Sequence, residues 1–264
     1  MKPRGWRYAA MFERLEKARE GAFVPFLMLG DPNPEASRDA AMLLARSGAD
    51  ALELGLPFSD PIADGPVIQA AATRALAAGV RQGDCWGVVR HIRDRYPELP
   101  IGLLVYANLV CHHNPADFYA KAASAGVDSV LVADLPTDEA DTVLADARSA
   151  AIATVFIAPP NATADRLGRI ASLSEGYTYV TSREGVTGVD ERLRRDQSAI
   201  LGDLRKLGAA PALLGFGISN PDQVQRALAM GAAGAISGSA VVQRMSDGSD
   251  LAAFVQSMKA ATRI

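Results

Sequence analysis

The stretch ALELGLPFSDPIADGP, residues 51–66, begins as a short apolar strand and ends as a loop that contains several prolines. Glu53 stands inside the apolar run, and Asp64 stands in the loop. Because burying an unpaired charge is costly, such a strand acid usually shifts its pKa or faces a cavity. Each proline fixes its own φ angle and restricts the residue before it, so the loop should hold the second acid rigidly. A rigid pair of carboxylates is what acid–base chemistry requires.

The length and composition favour a single globular domain. The chain has 264 residues, 49% of them hydrophobic, which is typical of a single α/β barrel. The net charge of −3 offers no basic field for nucleic acid or for a membrane surface, and no apolar run has the length of a membrane helix. The basic N-terminus is not followed by the apolar segment of a signal peptide. Cys85 and Cys111 lie far apart, which indicates free thiols in a reducing cytoplasm.

Apolar runs alternate with segments of helical spacing along the whole chain. The predicted strands are 23–29, the start of 51–66, 101–106, 129–134, 153–158, 177–181, 212–216 and 234–237. The predicted helices include 6–19, 34–47, 66–78, 84–95, 115–125, 137–149 with Thr137 as its N-cap, 163–173, 221–230 and one last helix to the C-terminus. Strands that are apolar throughout indicate a parallel sheet buried on both faces. Eight βα units in this length predict an α/β fold, a closed (β/α)8 TIM barrel with an extra N-terminal helix.

An open, doubly wound sheet is the alternative that the same alternation allows. It is disfavoured because no Gly-x-Gly-x-x-Gly motif follows the first strand. No linker or low-complexity segment interrupts the chain, so residues 1–264 are expected to form a single barrel domain.

In such a barrel the chemistry lies at the carboxyl ends of the strands and in the loops after them. Glu53 and Asp64 fall in these places. Taken alone, Glu53 could be the partner of a buried arginine, and Asp64 could cap the helix that follows Pro66. Taken together in one proline-rich segment, the two acids favour a functional site.

Two turns rich in glycine and serine follow the last two predicted strands, at 215–219 (GFGIS) and 237–240 (SGSA). Glycine lets a backbone approach a ligand, and helix N-termini supply N–H groups to anions. Phosphate often binds after strands seven and eight of a barrel, so a phosphate site is favoured over turns without a ligand. Neither turn contains Lys or Arg, so backbone N–H groups and hydroxyls would hold the anion.

The long polar segment 182–195 has glycines at 185 and 188, which is typical of a lid over an active site. The alternative is a solvent-exposed loop without a function.

The lysines lie in predicted helices or at the N-terminus, so a Schiff-base aldolase is not expected. No group of His, Cys and acidic residues has the spacing of metal ligands, so no metal site is predicted.

Six segments, in order and over nearly the whole chain, resemble the tryptophan synthase α chain family. They are 23–32 (FVPFLMLGDP), 50–69 (DALELGLPFSDPIADGPVIQ), 100–110 (PIGLLVYANLV), 126–135 (GVDSVLVADL), 176–188 (GYTYVTSREGVTG) and 211–240 (PALLGFGIS…GAAGAISGSA). The most specific of these motifs is ELGLPFSDPIADGP. The resemblance implies a carbon–carbon lyase that splits indole-3-glycerol phosphate into indole and glyceraldehyde 3-phosphate by a retro-aldol reaction.

The same resemblance implies the roles of individual residues. Glu53, Asp64 and Tyr179 match the catalytic residues of the family. The apolar indole slot is matched by Phe26, Leu104, Leu131, Ile157 and Phe216. The phosphate binders are matched by Gly188, Gly217, Gly238 and Ser239, and Thr187 matches the lid residue that closes onto the Asp64 loop.

The resemblance further implies a partner, the tryptophan synthase β chain, in a cytoplasmic α2β2 heterotetramer for tryptophan biosynthesis. Pyridoxal phosphate is expected on that β chain, and this chain itself needs no cofactor. Pro57, Asp60 and the loop at Asn108 match the face toward the partner. The chain departs from the family pattern at Met28, Val67, Glu184 and residues 111–115.

Two further functions remain open at this point. One is a free-standing lyase that releases indole without a β chain. The other is a non-catalytic barrel that binds a phosphorylated ligand and regulates a partner. The acid pair disfavours the second, because a binding protein has no use for two acids beside an apolar slot.

Overall fold

The strands form one parallel sheet. The computed structural model describes residues 3–112, 114–181 and 197–263. Its strands are β1 Ala22–Met28, β2 Leu52–Gly55, β3 Ile101–Val105, β4 Ser129–Val132, β5 Ala153–Val155, β6 Ile157–Ala158, β7 Thr178–Thr181, β8 Ala212–Gly215 and β9 Gly234–Ser237. Every paired strand is parallel to its neighbour, and nearly all strand residues are buried.

The sheet closes into a barrel at Phe156. The strand order is β5-β4-β3-β2-β1-β9-β8-β7-β6, and only Phe156 separates its two end strands in the chain. The predicted strand 153–158 is therefore one barrel strand in two parts, the first paired with β4 and the second with β7. The break arises because the Phe156 N–H donates to the Ser174 hydroxyl, 3.3 Å away, while its carbonyl accepts from Tyr179 of β7. The predicted TIM barrel is confirmed.

The helices surround the barrel, and the extra N-terminal helix is present. They are α1 Trp6–Ala18, α2 Pro34–Arg46, α3 Pro66–Ala77, α4 Gln82–Arg95, α5 Ala107–Cys111, α6 Pro115–Ala125, α7 Asp141–Ser149, α8 Ala164–Leu173, α9 Gln197–Lys206, α10 Pro221–Ala229, α11 Ser239–Asp247 and α12 Leu251–Ala260. No helix in these described ranges is long and apolar enough to cross a membrane.

Three predicted elements differ from the structure. The short helix α5 lies where a loop was expected, and the last predicted helix is two helices, α11 and α12, separated at Gly248. The prediction that Thr137 caps a helix over 137–149 is wrong, because Thr137 begins a separate 3-10 turn without a side-chain cap. The Thr137 carbonyl accepts instead from Arg169 of α8 at 2.9 Å, and α7 starts only at Asp141.

Helix α1 contributes to a polar network at the amino-terminal end of the strands. Asp128 accepts from Arg7 of α1 at 2.7 Å and from Arg93 of α4 at 2.6 Å. The Tyr8 hydroxyl shares a 2.9 Å hydrogen bond with Ser129 at the start of β4. The carboxyl ends of the strands are left to build the site, as is usual for this fold.

Candidate active site

Glu53 lies on β2 inside the barrel and is 2% exposed. Its register partners are Phe26 on β1 and Gly102 on β3. The Tyr177 hydroxyl donates to Glu53 Oε1 at 2.8 Å. Burial raises the pKa of Glu53 to about 7; the Tyr177 hydrogen bond opposes this rise, and the nearby charge of Asp64 adds to it. A carboxyl with this pKa can both give and take a proton near neutral pH.

Asp64 reaches the site from the loop between β2 and α3. The loop turns through a hydrogen bond from the Asp64 N–H to the Pro61 carbonyl at 3.1 Å, and the Gln69 side chain donates to the Asp64 carbonyl at 2.9 Å. Burial raises the pKa of Asp64 to about 6, and a hydrogen bond with Tyr106 works against that rise. Asp64 therefore remains the stronger acid of the pair.

The structural alternatives for the two acids are not supported. Across the described ranges Glu53 takes part in no ion pair, and the half-buried Arg7 and Arg93 contact another carboxylate, Asp128. The N-cap of α3 is Gly65 rather than Asp64, and no side chain caps that helix. Both acids are consequently available to a ligand.

A cavity of about 330 Å³ at the carboxyl end of the barrel contains both acids. It also brings together most of the predicted site residues, namely Phe26, Leu104, Tyr179, Phe216, Gly217, Gly238 and Ser239. The Tyr179 ring meets the Phe216 ring edge to face, with 6.4 Å between centroids. Tyr179 lies close enough to Glu53 and Asp64 that their charges raise the pKa of its phenol, although burial is the larger cause.

The remaining predicted site residues lie elsewhere. Leu131 and Ile157 do not line this cavity; they pack in the same apolar cluster as Leu104 and Tyr179, so they support the wall rather than form it. Thr187, Gly188 and the predicted lid 182–195, with Glu184, lie outside the described residues.

Two lining residues, Ile68 and Ile236, fall outside the segments that the sequence predicts as functional. Gly65, Ile218, Ser219 and Ala240 lie within the predicted Asp64 loop and the two Gly/Ser turns, although the sequence assigns them no individual role. Ile68 could have been found, because it lies in the first turn of the helix that follows the Asp64 loop. Ile236 could not, because inward and outward positions look alike in a strand that is apolar throughout.

Another part of the cavity lining is suited to an anion. Gly238 is the N-cap of α11 and Ser239 is its first residue, so a helix N-terminus with its N–H groups opens at the cavity. Across the cavity rim, Phe216 and Gly217 both have positive φ angles, 67° and 78°. A non-glycine residue in this conformation is strained, and such strain concentrates at ligand sites. The described lining residues include no Lys or Arg.

No group of three or more metal-ligating side chains occurs among residues 3–112, 114–181 and 197–263. The site therefore consists of two carboxyls with unequal pKa values, apolar residues that line the same cavity, and a helix N-terminus that opens at it. It can move a proton, stabilise a positive charge and hold an anionic group at the same time.

Comparison with known proteins agrees with this arrangement. The family model for the tryptophan synthase alpha chain matches residues 12–263. The chain is 53% identical to the tryptophan synthase alpha chain of Shewanella amazonensis, with 97% of this chain and 99% of that protein covered. It is 52% identical to the alpha chain of Vibrio cholerae serotype O1, with 98% and 99% covered.

Solved structures give the same result at lower identity. Tryptophan synthase from Mycobacterium tuberculosis is similar with a TM-score of 0.89 and 29% identity, over 98% of both chains. The alpha subunit from Legionella pneumophila str. Paris is similar with a TM-score of 0.85 and 31% identity, over 97% of this chain and 98% of that one. The sequence, the barrel and the cavity thus lead to one conclusion: the chain belongs to the tryptophan synthase alpha chain family.

Proposed function

We propose that this chain is the α subunit of a tryptophan synthase and cleaves indole-3-glycerol phosphate into indole and glyceraldehyde 3-phosphate. The observation that carries this proposal is the pair Glu53 and Asp64 in one apolar cavity, with pKa values of about 7 and about 6. Between pH 6 and pH 7 this order favours a proton on Glu53 and an ionised Asp64. A retro-aldol cleavage of an indole needs these two states together.

The reaction proceeds in two proton transfers. Protonated Glu53 gives its proton to indole C3, which leaves a positive charge on the ring nitrogen beside the Asp64 carboxylate. The Glu53 carboxylate then takes the proton of the glycerol hydroxyl next to C3. The carbon–carbon bond breaks, its electron pair returns to the ring and neutralises the nitrogen, and the hydroxyl carbon becomes the aldehyde. Glu53 ends protonated, as it began.

The other residues bind and orient the substrate. Phe26, Leu104 and Phe216 enclose the indole ring, and Leu131 and Ile157 support this slot from the cluster behind it. Gly217, Gly238 and Ser239 hold the phosphate with backbone N–H groups and a hydroxyl. Tyr179 lies against the acid pair. By family resemblance alone, Gly188 belongs with the phosphate binders and Thr187 is the lid residue that pairs with the Asp64 loop.

A β chain takes up the indole in an α2β2 heterotetramer in the cytoplasm, and pyridoxal phosphate belongs to that β chain alone. The loop that carries Asp64 offers a suitable surface for the contact, since Ile62 near its tip is 71% exposed. Pro57, Asp60 and Asn108 lie on the same partner-facing side by family resemblance. Because single exposed apolar side chains are common on protein surfaces, the assignment of this face to the partner rests on the family resemblance.

The test is indole release by the purified protein from indole-3-glycerol phosphate, with and without a β chain. We expect slow release alone and faster release with the β chain. Strong release that the β chain leaves unchanged would favour a free-standing lyase. No release under either condition would reject the enzyme and leave a barrel that only binds a phosphorylated ligand.

A further inference from the structure

One tyrosine outside the cavity lining touches the Asp64 loop at several points. Tyr106 follows β3, is 2% exposed and occupies the N-cap position of α5. Its ring stacks on Phe58 at the start of the loop, with 5.2 Å between centroids and 26° between planes. Its hydroxyl oxygen accepts the Ala63 N–H at 3.1 Å near the end of the loop.

The hydroxyl proton is available to Asp64. A phenol has one proton to donate, and the Ala63 N–H uses the oxygen only as an acceptor. The hydrogen bond between Tyr106 and Asp64 raises the pKa of the phenol, as expected of a donor to a carboxylate, although burial is the main cause of that rise. Phe58 and Ala63 are thus fixed by a single side chain from a rigid strand end, and Asp64 follows Ala63 directly in the chain.

We propose that Tyr106 is a positioning residue of the reaction: it holds the Asp64 carboxylate at the cavity and donates a hydrogen bond to its ionised form. This inference rests on the proposed function, in which Asp64 stabilises the positive charge on the indole nitrogen. Tyr106 does not line the cavity, so it acts through Asp64 rather than on the substrate.

The charges around Asp64 determine the sign of the expected effect. Glu53 of β2 and the Tyr179 phenol of β7 face Asp64, and Asp134 after β4 faces Tyr106. An ionised Glu53 disfavours a negative charge on Asp64, whereas the Tyr179 phenol stays neutral at the pH values of interest because its pKa is raised. Burial raises the pKa of Asp64 to about 6, and the Tyr106 hydrogen bond holds it below the value that burial alone would give. Loss of that hydrogen bond moves the pKa upward, and Asp64 then ionises at higher pH.

The test replaces Tyr106 by Phe, which keeps the buried ring and its stacking on Phe58. The pH profile of kcat/KM for indole release is then compared with that of the wild type. We expect the acid limb to move up by about one pH unit and the maximum rate to fall about tenfold, as for loss of a hydrogen bond to a charged group. KM at the pH optimum should change little, because the phosphate end is untouched.

Tyr119→Phe is the matched control. Its hydroxyl is also buried, in α6, but has no hydrogen-bond partner in the described structure. This variant should keep the wild-type profile. A second variant places 3-fluorotyrosine at position 106 alone. Its more acidic hydroxyl is a stronger donor, so the acid limb should move the other way, to lower pH.

An acid limb that stays at its wild-type position in both Tyr106 variants would overturn the inference. An equal shift in Tyr119→Phe would also overturn it, since the effect would then be a general one. If Tyr106→Phe fails to fold, the protein with 3-fluorotyrosine at position 106 still tests the inference, because the direction in which its acid limb shifts is sufficient. Failure of the proposed function is distinguishable, because the wild-type protein itself would then release no indole.

Discussion

At the scale of single residues, two carboxyls in one cavity differ because their surroundings differ. Glu53 is enclosed in the barrel interior, and Asp64 lies half-buried on a loop; burial therefore raises the pKa of Glu53 to about 7 and that of Asp64 to about 6. Catalysis needs protonated Glu53 and ionised Asp64. We therefore predict a bell-shaped pH profile of kcat/KM with an acid limb near pH 6 and an alkaline limb near pH 7.

The two limbs belong to the pair as a whole, since each charge affects the other acid. Asp64→Asn should remove the acid limb and leave the alkaline one in the residual activity. A profile that stays flat from pH 5 to pH 8 in the wild type would contradict the assignment. Rates measured with saturating β chain and without it would show whether the partner moves either limb.

The second prediction at this scale concerns the proton itself. Glu53→Gln keeps the shape and a hydrogen-bond partner for Tyr177 but has no proton to give or to receive. We expect indole release to fall by about 100-fold to 10,000-fold, the usual contribution of a general acid–base group. Binding of a non-cleavable substrate analogue should change less than threefold, roughly, because uniform binding does not depend on proton transfer.

Glu98→Gln is the matched control, since Glu98 is exposed and lies outside the cavity. It should keep the wild-type rate. If Glu53→Gln released indole at the wild-type rate, a group other than Glu53 would have to be the acid–base catalyst.

The sequence could predict Glu53 as the acid–base group because an acid in an apolar strand is conspicuous. It could not predict Tyr177 as its hydrogen-bond partner, because 124 positions separate the two residues and only the closed barrel joins them.

At the scale of elements, the N-terminus of α11 is the clearest functional unit. A Cβ built on Gly238 would meet Phe26 and Ile68 only at 3.7 and 3.9 Å, which is ordinary contact, so the protein has room for alanine there. That methyl group would occupy space in which a phosphate could approach the helix N-terminus. We predict that Gly238→Ala folds normally and raises KM about tenfold, with a smaller effect on kcat.

The measurement is KM for the substrate together with the inhibition constant of glycerol phosphate. Gly168→Ala is the matched control, because a Cβ at this position in α8 would meet no atom within 4 Å. It should keep the wild-type KM and stabilise its helix by about 0.5–1 kcal/mol. If KM and the inhibition constant of glycerol phosphate are both unchanged in Gly238→Ala, the phosphate binds elsewhere in the cavity.

Element boundaries were predictable where the signal is local. Asn33, Thr163 and Asn220 cap their helices through their own side chains, in the positions that the sequence indicates. The division of the last helix was missed, although the sequence contains its local signals: Gly248 ends α11 with a positive φ of 73°, and Asp250 caps α12. The helix α5 was not readable. Its first N–H, at Ala107, is held at 2.7 Å by Asp134, which comes from the loop after another strand.

At the scale of the whole molecule, the order of apolar runs was enough to predict the barrel. Its closure, however, depends on the hydrogen bonds of one residue. The two sheet ends meet within one strand, and Phe156 can pair with β7 because Ser174 satisfies its N–H. Such a long-range exchange leaves no pattern in the sequence. The same barrel encloses Glu53 completely, and this enclosure has a consequence for stability.

Enclosure raises the pKa of Glu53 from 4.5 to about 7, so the folded protein binds this proton more tightly than the unfolded chain does. Stability from this group is complete below pH 4.5 and is lost as the pH rises to about 7. At about 1.4 kcal/mol per pH unit the loss is about 3 kcal/mol. Glu53→Gln does not titrate, so its free energy of unfolding minus that of the wild type should grow by this amount over the same range.

Urea unfolding at pH 4.5, 6 and 8 measures this difference, and Asp64, which is present in both proteins, cancels from it to first order. The exposed control Glu98→Gln should show a difference near zero at each pH. A difference for Glu53→Gln that is constant with pH would mean that Glu53 is as well solvated when folded as when unfolded. If the difference grows, the barrel bears the cost of ionising a buried acid that only the reaction needs.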